Sequence, residues 1–227
     1  MFYSARSIII LSILLLAGCA TPTKMAFSDK SNADIKTDKA VYLMTVHIKN
    51  TYKSSHQPKL KFISVERGAA TNAADRLNFQ IDDSGKIESD TADGSTYLLR
   101  MELEQGEYVI QGFTSISSSF PIHGFFFTPI HEKITVNGSG IFYLGHIEAN
   151  VRERQGNEFK AGPSIPLIDQ AIAGASTGTF DEEITDQWSK DEAKFRVKFS
   201  VLSDAQVQMA ILRPFDREKA QQWWEAH

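Results

Sequence analysis

One serine lies in a pattern that can support nucleophilic catalysis. Residues 174–178 read G-A-S-T-G, the G-x-S-x-G spacing of a nucleophile elbow, in which a strained turn between a strand and a helix exposes the Ser176 hydroxyl. Residues 167–173 fit a helix at least as well as a strand. The only later histidine is His227, the last residue, where fraying is expected. We therefore favour a glycine-rich connecting loop over a hydrolase that uses Ser176.

The other histidines do not have the spacing of a metal site. They are His47, His56, His123, His131 and His146. No pair has the H-x-x-x-H or H-E-x-x-H spacing that places two imidazoles on one metal. His47 and His146 could face each other across strands, and neutral histidine binds zinc and copper. We favour histidines that are hydrogen-bonded or on a sheet surface, and predict no metal and no cofactor.

An oxygen-rich loop offers a calcium site as an alternative. Between residues 82 and 94 the chain carries several carboxylate and hydroxyl side chains, namely Asp82, Asp83, Ser84, Glu88, Asp90 and Asp93. Calcium prefers oxygen ligands, but the order of an EF-hand is absent. The same residue types favour turns for reasons of their own backbone. A solvated loop is the favoured interpretation.

Three adjacent phenylalanines form the most distinctive aromatic segment. Phe125, Phe126 and Phe127 lie within the apolar residues 120–130. Successive residues of a strand face opposite sides, so the three rings cannot all enter one core. The favoured interpretation is a core strand covered by the C-terminal helices. The alternative is an exposed patch that contacts a partner or a membrane, and we retain these three residues as candidate partner-binding positions.

The first nineteen residues have the organisation of an export signal. Arg6 is the only charged side chain before Cys19, and residues 8–16 are apolar apart from Ser12. That run is shorter than the ~20 residues of a membrane-spanning helix. Leu16-Ala17-Gly18-Cys19 then resembles the lipobox of bacterial lipoproteins, with small residues before a cysteine whose thiol can carry a diacylglyceryl group.

This resemblance implies cleavage before Cys19, so that residues 1–18 are a signal peptide. It also implies acylation of Cys19 by fatty acids such as palmitate, and stable anchoring requires more than one acyl chain. Ala20 stands where an aspartate would resemble an inner-membrane retention signal. The expected location is therefore the outer membrane, facing the periplasm or the surface, if the cell is Gram-negative, and otherwise the cell membrane.

Composition excludes several function classes. Without Arg6, the mature chain keeps 23 of the 24 basic residues and all 28 acidic residues, a net charge of −5. This acidic balance argues against nucleic acid as a partner. Cys19 is the only cysteine, which excludes a disulfide within the monomer and a thiol or cysteine metal site in the mature domain.

Hydrophobic alternation predicts a chain of antiparallel strands. Residues 41–49, 97–103 and 195–201 alternate cleanly, and the Gly106 turn and residues 137–140 join hairpins. Residues 141–148 are apolar on both faces, which predicts a central strand. Asp204 and Asp216 can cap helices near the C-terminus. The predicted fold is a mainly β, antiparallel sandwich with short C-terminal helices.

Four segments follow from these signals. Residues 1–18 are the signal peptide, and residues 19–39 are the lipidated cysteine with a flexible tether, because they are polar and lack periodicity. Residues 40–203 form the sandwich domain, within which residues 151–191 are a possible insertion. Residues 204–227 form a helical segment.

A second resemblance covers about residues 40–150. Residues 103–110 (L-E-Q-G-E-Y-V-I) resemble the hairpin of transthyretin-like, carboxypeptidase-regulatory-like sandwiches, and residues 140–147 (G-I-F-Y-L-G-H-I) resemble a strand that follows it there. The resemblance implies a non-catalytic transthyretin or immunoglobulin-like sandwich and assigns no functional residue.

These observations favour a lipid-anchored envelope protein that is not an enzyme and acts as a binding or scaffold module. Its expected partners are the membrane, through the anchor, and an envelope protein. The second hypothesis is a ligand-binding module for carbohydrate or calcium, and the third is the hydrolase through Ser176.

Overall fold

Ten strands and two helices appear in a computed structural model, which describes residues 21–31, 39–68, 70–87, 93–119, 122–163 and 170–226. The strands are β1 (Thr21–Thr23), β2 (Ala40–Asn50), β3 (Lys59–Arg67), β4 (Arg76–Gln80), β5 (Ser95–Leu103), β6 (Gly106–Ser119), β7 (Ile122–Val136), β8 (Gly140–Glu153), β9 (Gly178–Thr185) and β10 (Val207–Met209). The helices are α1 (Trp188–Lys198) and α2 (Arg217–Ala226).

The strands form two five-stranded sheets. Sheet A has the order β1-β4-β3-β6-β7, and sheet B has the order β10-β8-β2-β5, with β9 also paired to β8. This confirms a mainly β sandwich with short helices. The sheets are mixed, however, because β2–β8, β1–β4 and β10–β8 pair in parallel. Turn signals indicate only hairpins between neighbours, whereas parallel pairing needs a long crossover.

Alternation along the strands places one face of each sheet in a shared core. Tyr42, Met44, Val46 and Ile48 of β2 all enter it, as the sequence predicts. On sheet A, Ile63 and Phe113 have no exposed surface. The core therefore follows the period of two that extended strands impose.

The segment before β2 is docked on the sandwich, so the prediction of a flexible tether over residues 19–39 is wrong for residues 21–31. β1 pairs with β4 at the edge of sheet A. Ala26 N donates to Arg100 O of β5 at 2.8 Å, and the Phe27 ring is buried against sheet B. The segment thus joins the edges of both sheets. Residues 19, 20 and 32–38 lie outside the described residues.

Arg100 fixes this segment from within. Its side chain has no exposed surface: Nε donates to Phe27 O at 3.0 Å, Nη1 donates to Leu98 O at 2.6 Å, and the guanidinium pairs with Asp82. It also lies 4.4 Å from the centre of the Phe199 ring. Gly85 makes room for it, since a Cβ there would lie 2.5 Å from Nη1.

The chain after β9 differs from two predictions. The predicted strand over residues 195–201 is wrong: residues up to Lys198 belong to α1, and Val197 is 88% exposed. Phe195 and Phe199 are four residues apart, so they also fit one helix face. The helix that Asp204 was predicted to cap is extended chain instead, because β10 pairs with β8 and Leu212 N donates to Leu144 O at 2.9 Å.

The last helix is as expected from its cap, because Asp216 Oδ1 accepts from Lys219 N at 3.0 Å. Residues 151–191 are part of the sandwich rather than an insertion. They contain the end of β8, all of β9 and the start of α1, and Phe127 N donates to Ala161 O at 2.8 Å. Residues 164–169 lie outside the described residues.

Phe27→Ala tests whether the segment contributes to folding. Truncation of a buried phenylalanine should lower the free energy of unfolding by about 3 kcal/mol, because the cavity forfeits both transfer and packing energy. Urea unfolding of the mature domain measures it. Lys30→Ala, at an exposed position of the same segment, should change it by less than about 0.5 kcal/mol. A harmless Phe27→Ala would restore the flexible tether.

Candidate functional site

A chain of hydrogen-bonded ionisable groups crosses the outer face of sheet B. The His146 ring lies between two carboxylates: Nδ1 is 2.8 Å from Asp191 Oδ2 and Nε2 is 3.1 Å from Glu148 Oε1. The other Glu148 oxygen is 2.7 Å from His47 Nδ1. Tyr143 Oη donates to Asp191 Oδ2 at 2.7 Å. We call these five residues the histidine–carboxylate chain.

An irregularity in β8 brings this chain to one face. Tyr143 and His146 are three residues apart, so strict alternation would send them to opposite faces. The register with β2 shifts between Leu43 and Thr45, and Gly145 in this stretch has φ +121°, a conformation that favours glycine. Asp191 reaches the site from α1, where its side chain is fully buried.

Mutual stabilisation shifts the pKa values in this chain. Burial disfavours the charged ring of His146, but the hydrogen bonds that this ring donates to Asp191 and Glu148 outweigh the effect of burial and raise the His146 pKa to about 9. Burial opposes ionisation of Glu148 too, yet its bonds to His146 and His47 lower the Glu148 pKa to about 2. The Asp191 pKa is lowered in the same way by His146 and Tyr143.

The histidine–carboxylate chain therefore acts as an electrostatic clamp that holds α1 on sheet B. At neutral pH, His146 is a cation whose two N–H groups both donate to carboxylates, so it carries no lone pair that could accept a proton. His47 Nε2 is likewise engaged, 2.8 Å from Asp93 O. Within the described ranges, no group of three or more His, Cys, Asp or Glu side chains is arranged to hold a metal ion.

Ser176 does not lie on a nucleophile elbow. Residues 171–177 are a series of turns, and the next element is a strand, β9, where the elbow requires a helix. Ser176 N donates to Gln170 O at 3.4 Å, so this segment closes on itself as a connecting loop. The glycine-rich loop is the correct interpretation, and His227 lies outside the described residues.

The oxygen-rich loop uses its first carboxylate structurally. Asp82 Oδ1 accepts from Gly85 N at 2.9 Å, while its other oxygen pairs with Arg100. Ser84 Oγ donates to Asp29 Oδ1 at 2.9 Å. The contacts with Arg100 and Asp29 hold the loop on the domain, and these side-chain oxygens do not converge on one point as cation ligands would. Glu88 and Asp90 lie outside the described residues.

The three phenylalanines separate as alternation requires. Phe126 is 1% exposed and enters the core, with its ring centre 6.4 Å from that of Phe180, so it cannot belong to a contact surface. Phe125 and Phe127 face the other way and are half-buried. The Phe127 ring stacks on Trp223 of α2 at 5.4 Å. Cover by the C-terminal helix, the favoured interpretation, accounts for Phe127.

An inter-sheet cavity and a buried carboxylate are two further features of the fold. A cavity of about 530 Å³ opens between the sheets beside the docked N-terminal segment, with Met25, Leu77 and Tyr108 among its apolar lining residues. Five of its fifteen lining residues are charged, more than the few polar groups that are usual in a site for an apolar ligand: Lys24, Lys39, Arg67, Glu102 and Glu104.

Glu182 is the second. It lies on the same side of β9 as Phe180 and Ile184, which enter the core. Both its carboxylate oxygens are buried and neither accepts a hydrogen bond from a described protein group. Burial raises the Glu182 pKa well above its ordinary value, and the nearby charge of Arg217 only partly offsets this.

The sequence offered His47 and His146 as histidines that could face each other across strands. The register instead places Glu148 opposite His47, and this carboxylate joins the two rings. His146 and Glu148, two apart on one strand, carry a signal that was available, because such residues share a face. Asp191 gave no such signal. It is 45 positions from His146, and it lies on α1, part of which has the alternating pattern of a strand. The sequence did not distinguish Glu182, because its neighbours in the chain are also acidic.

Comparison with known proteins gives no relative: no family model matches the chain, and neither a curated protein nor a solved structure matches it. Among the described residues, no helix is long and apolar enough to span a membrane.

His146→Asn should destabilise the domain in a pH-dependent way. The His146 pKa is raised from 6.5 to about 9, so its contribution is complete below about pH 6.5 and is lost as the pH rises through 9. Near pH 6 the variant should lose about 3 kcal/mol, because the buried Asp191 loses its imidazolium partner and keeps only one cationic partner, the more exposed Lys194, at 3.1 Å. Thermal unfolding across this range measures it.

The wild type should lose stability between these pH values, whereas His146→Asn should lack that component. His123→Asn, at an exposed position, is the control and should keep the wild-type profile. Identical pH profiles for His146→Asn and the wild type would contradict the clamp.

Glu182→Met should stabilise the protein. The folded-state pKa of Glu182 is raised, so its penalty is absent below pH 4.5 and grows as the pH rises. An unsatisfied buried group costs about 1–3 kcal/mol, which sets the gain expected at neutral pH. Urea unfolding at acidic and neutral pH measures it. Glu183→Met, on the exposed face of the same strand, should change little; a destabilised Glu182→Met would show that the carboxylate is needed.

Proposed function

We propose that this chain is a lipid-anchored envelope protein, attached through Cys19, whose sandwich acts as a non-enzymatic binding or scaffold module. Its proposed location is the outer membrane in a Gram-negative cell and the cell membrane otherwise. Its partners are the membrane, through the anchor, and an envelope protein.

The observation that carries this proposal is the position of the lipobox relative to the fold. β1 begins at Thr21, two residues after Cys19. Cleavage before Cys19 would therefore place the acylated residue directly beside the first strand of the folded domain.

Two features support a binding role over catalysis. The side chains of the histidine–carboxylate chain hydrogen-bond to one another, which suits a rigid support. Ser176 sits in a connecting loop. The inter-sheet cavity favours a ligand-binding module as the second candidate, and its occupant would carry polar or charged groups as well as an apolar part.

Cys19→Ser tests the anchor. The substitution removes the thiol that would carry the diacylglyceryl group, so the protein should leave the membrane fraction and keep an unprocessed N-terminus. Cell fractionation with mass spectrometry of the N-terminal peptide measures both. Ala20→Ser, which keeps the lipobox cysteine, should behave as the wild type. A wild-type peptide without acyl chains would refute the anchor.

Crosslinking in cells tests the scaffold role. Wild-type protein should capture one envelope protein in stoichiometric amount, and Cys19→Ser should lose it, because the variant no longer reaches the membrane. If the wild type captures no protein above background, the scaffold role fails and the ligand-binding role takes its place.

A further inference from the structure

The pairing of β1 also determines the end at which the N-terminal segment enters the sandwich. β1 pairs with β4 in the register Thr21 to Leu77, so the chain enters the sandwich at the end where β4 begins. Cys19 is two residues upstream, and an extended chain covers at most about 3.6 Å per residue. The acylated residue must therefore lie within roughly 7 Å of Thr21.

Strand registers define what else lies at this end. Arg76 at the start of β4 pairs with Glu66 near the end of β3, and the start of β6 pairs with the end of β7. Ala40 at the start of β2 pairs with both Gly140 and Leu103. The described connecting segments at this end include residues 70–75, 104–105 and 137–139, which we call the anchor end.

The opposite end is far from the anchor. β2 runs from Ala40 at the anchor end to Asn50, and eleven residues of strand span roughly 33 Å. The loop of residues 51–58 follows β2 there. Any external surface in contact with the anchor end is therefore well separated from this loop.

We propose that the anchor end of the sandwich rests on the lipid headgroups of the bilayer and that the docked segment holds the domain in this one orientation. The proposal rests on the proposed acylation of Cys19. Residues 21–31 are tied to both sheets, through β4 and through Arg100, so the domain has no long flexible linker to swing on.

Charge does not set this orientation. The cations that flank the anchor end face glutamates: Arg67 Nη2 is 3.5 Å from Glu104 Oε2, and Arg76 Nε is 3.6 Å from Glu66 Oε1. Because both of these described cations are paired with carboxylates, they add little attraction to anionic lipid. The short covalent connection is what brings this face to the membrane.

Single-cysteine labelling tests the orientation. Because the thiol of acylated Cys19 is blocked and no other cysteine exists, Ser139→Cys at the anchor end and Ser54→Cys at the opposite end each give one reactive thiol. Both serines are exposed, so the substitutions are matched. Full-length acylated protein is placed on phosphatidylcholine vesicles that contain a nitroxide-headgroup lipid, and a fluorophore on the thiol reports quenching.

The label at position 139 should be strongly quenched and the label at position 54 hardly at all. A third protein carries twelve Gly and Ser residues inserted after Ala20, which adds about 20 Å of reach; the label at position 139 should then lose its quenching. Equal quenching at both positions, or quenching that the insertion leaves unchanged, overturns the orientation.

Vesicle flotation separates the two proposals. Protein that floats with vesicles but shows no preference between the two labels retains its anchor and lacks the orientation. Protein that does not float lacks the anchor, and the proposed function fails together with the orientation.

Discussion

The buried guanidinium of Arg100 holds the N-terminal segment and the loop after β4 against β5 of sheet B. Burial of an arginine is unfavourable unless its donors are paired, and each of the three guanidinium nitrogens has a partner, in Phe27 O, Leu98 O and Asp82. Because the partners come from the N-terminal segment, β5 and the loop after β4, the loss of one would leave a buried charge for the others to hold. These parts therefore fold or open together.

A second buried ion pair lies on the same sheet face, and α1 connects the two. Asp191 in the first turn of α1 is held by His146, while Phe199, just beyond its last residue, packs against Arg100. The helix is thus fixed at both ends by charge, with aromatic side chains between them. Weak amphipathicity of its sequence is tolerated because these contacts, rather than an apolar stripe, position the helix.

The sequence predicted the sandwich well where the information is local. Alternation placed β2 and β5, and apolar residues on both faces of β8 indicated a central strand. It failed where one pattern fits two structures. Phe195, Val197 and Phe199 alternate as in a strand, yet the two phenylalanines also lie on one helix face. It failed as well for residues 21–31, whose docking depends on Arg100 and on the edges of β4 and β5, none of which is close in sequence.

The candidate site shows the same division. The sequence suggested that His47 and His146 could face each other, and they do lie on paired strands, but Glu148 stands opposite His47 and joins the two rings. Asp191 could not be placed, because its position depends on a helix that the sequence did not reveal. Phe126 and Phe127 followed the rule of opposite faces, but only the packing of α2 decided which ring is covered and by what.

The parallel pairing of β2 with β8 also bears on when the domain can form. His47 and Glu148, which meet across this pair, are 101 positions apart. Contacts of such sequence separation form late, since the entropy of closing the intervening chain must be met before they contribute. The β6–β7 hairpin can form as soon as its own residues are available, but sheet B must wait for β8. A chain synthesised from its N-terminus therefore keeps β2 unpaired with β8 until two thirds of its length has emerged.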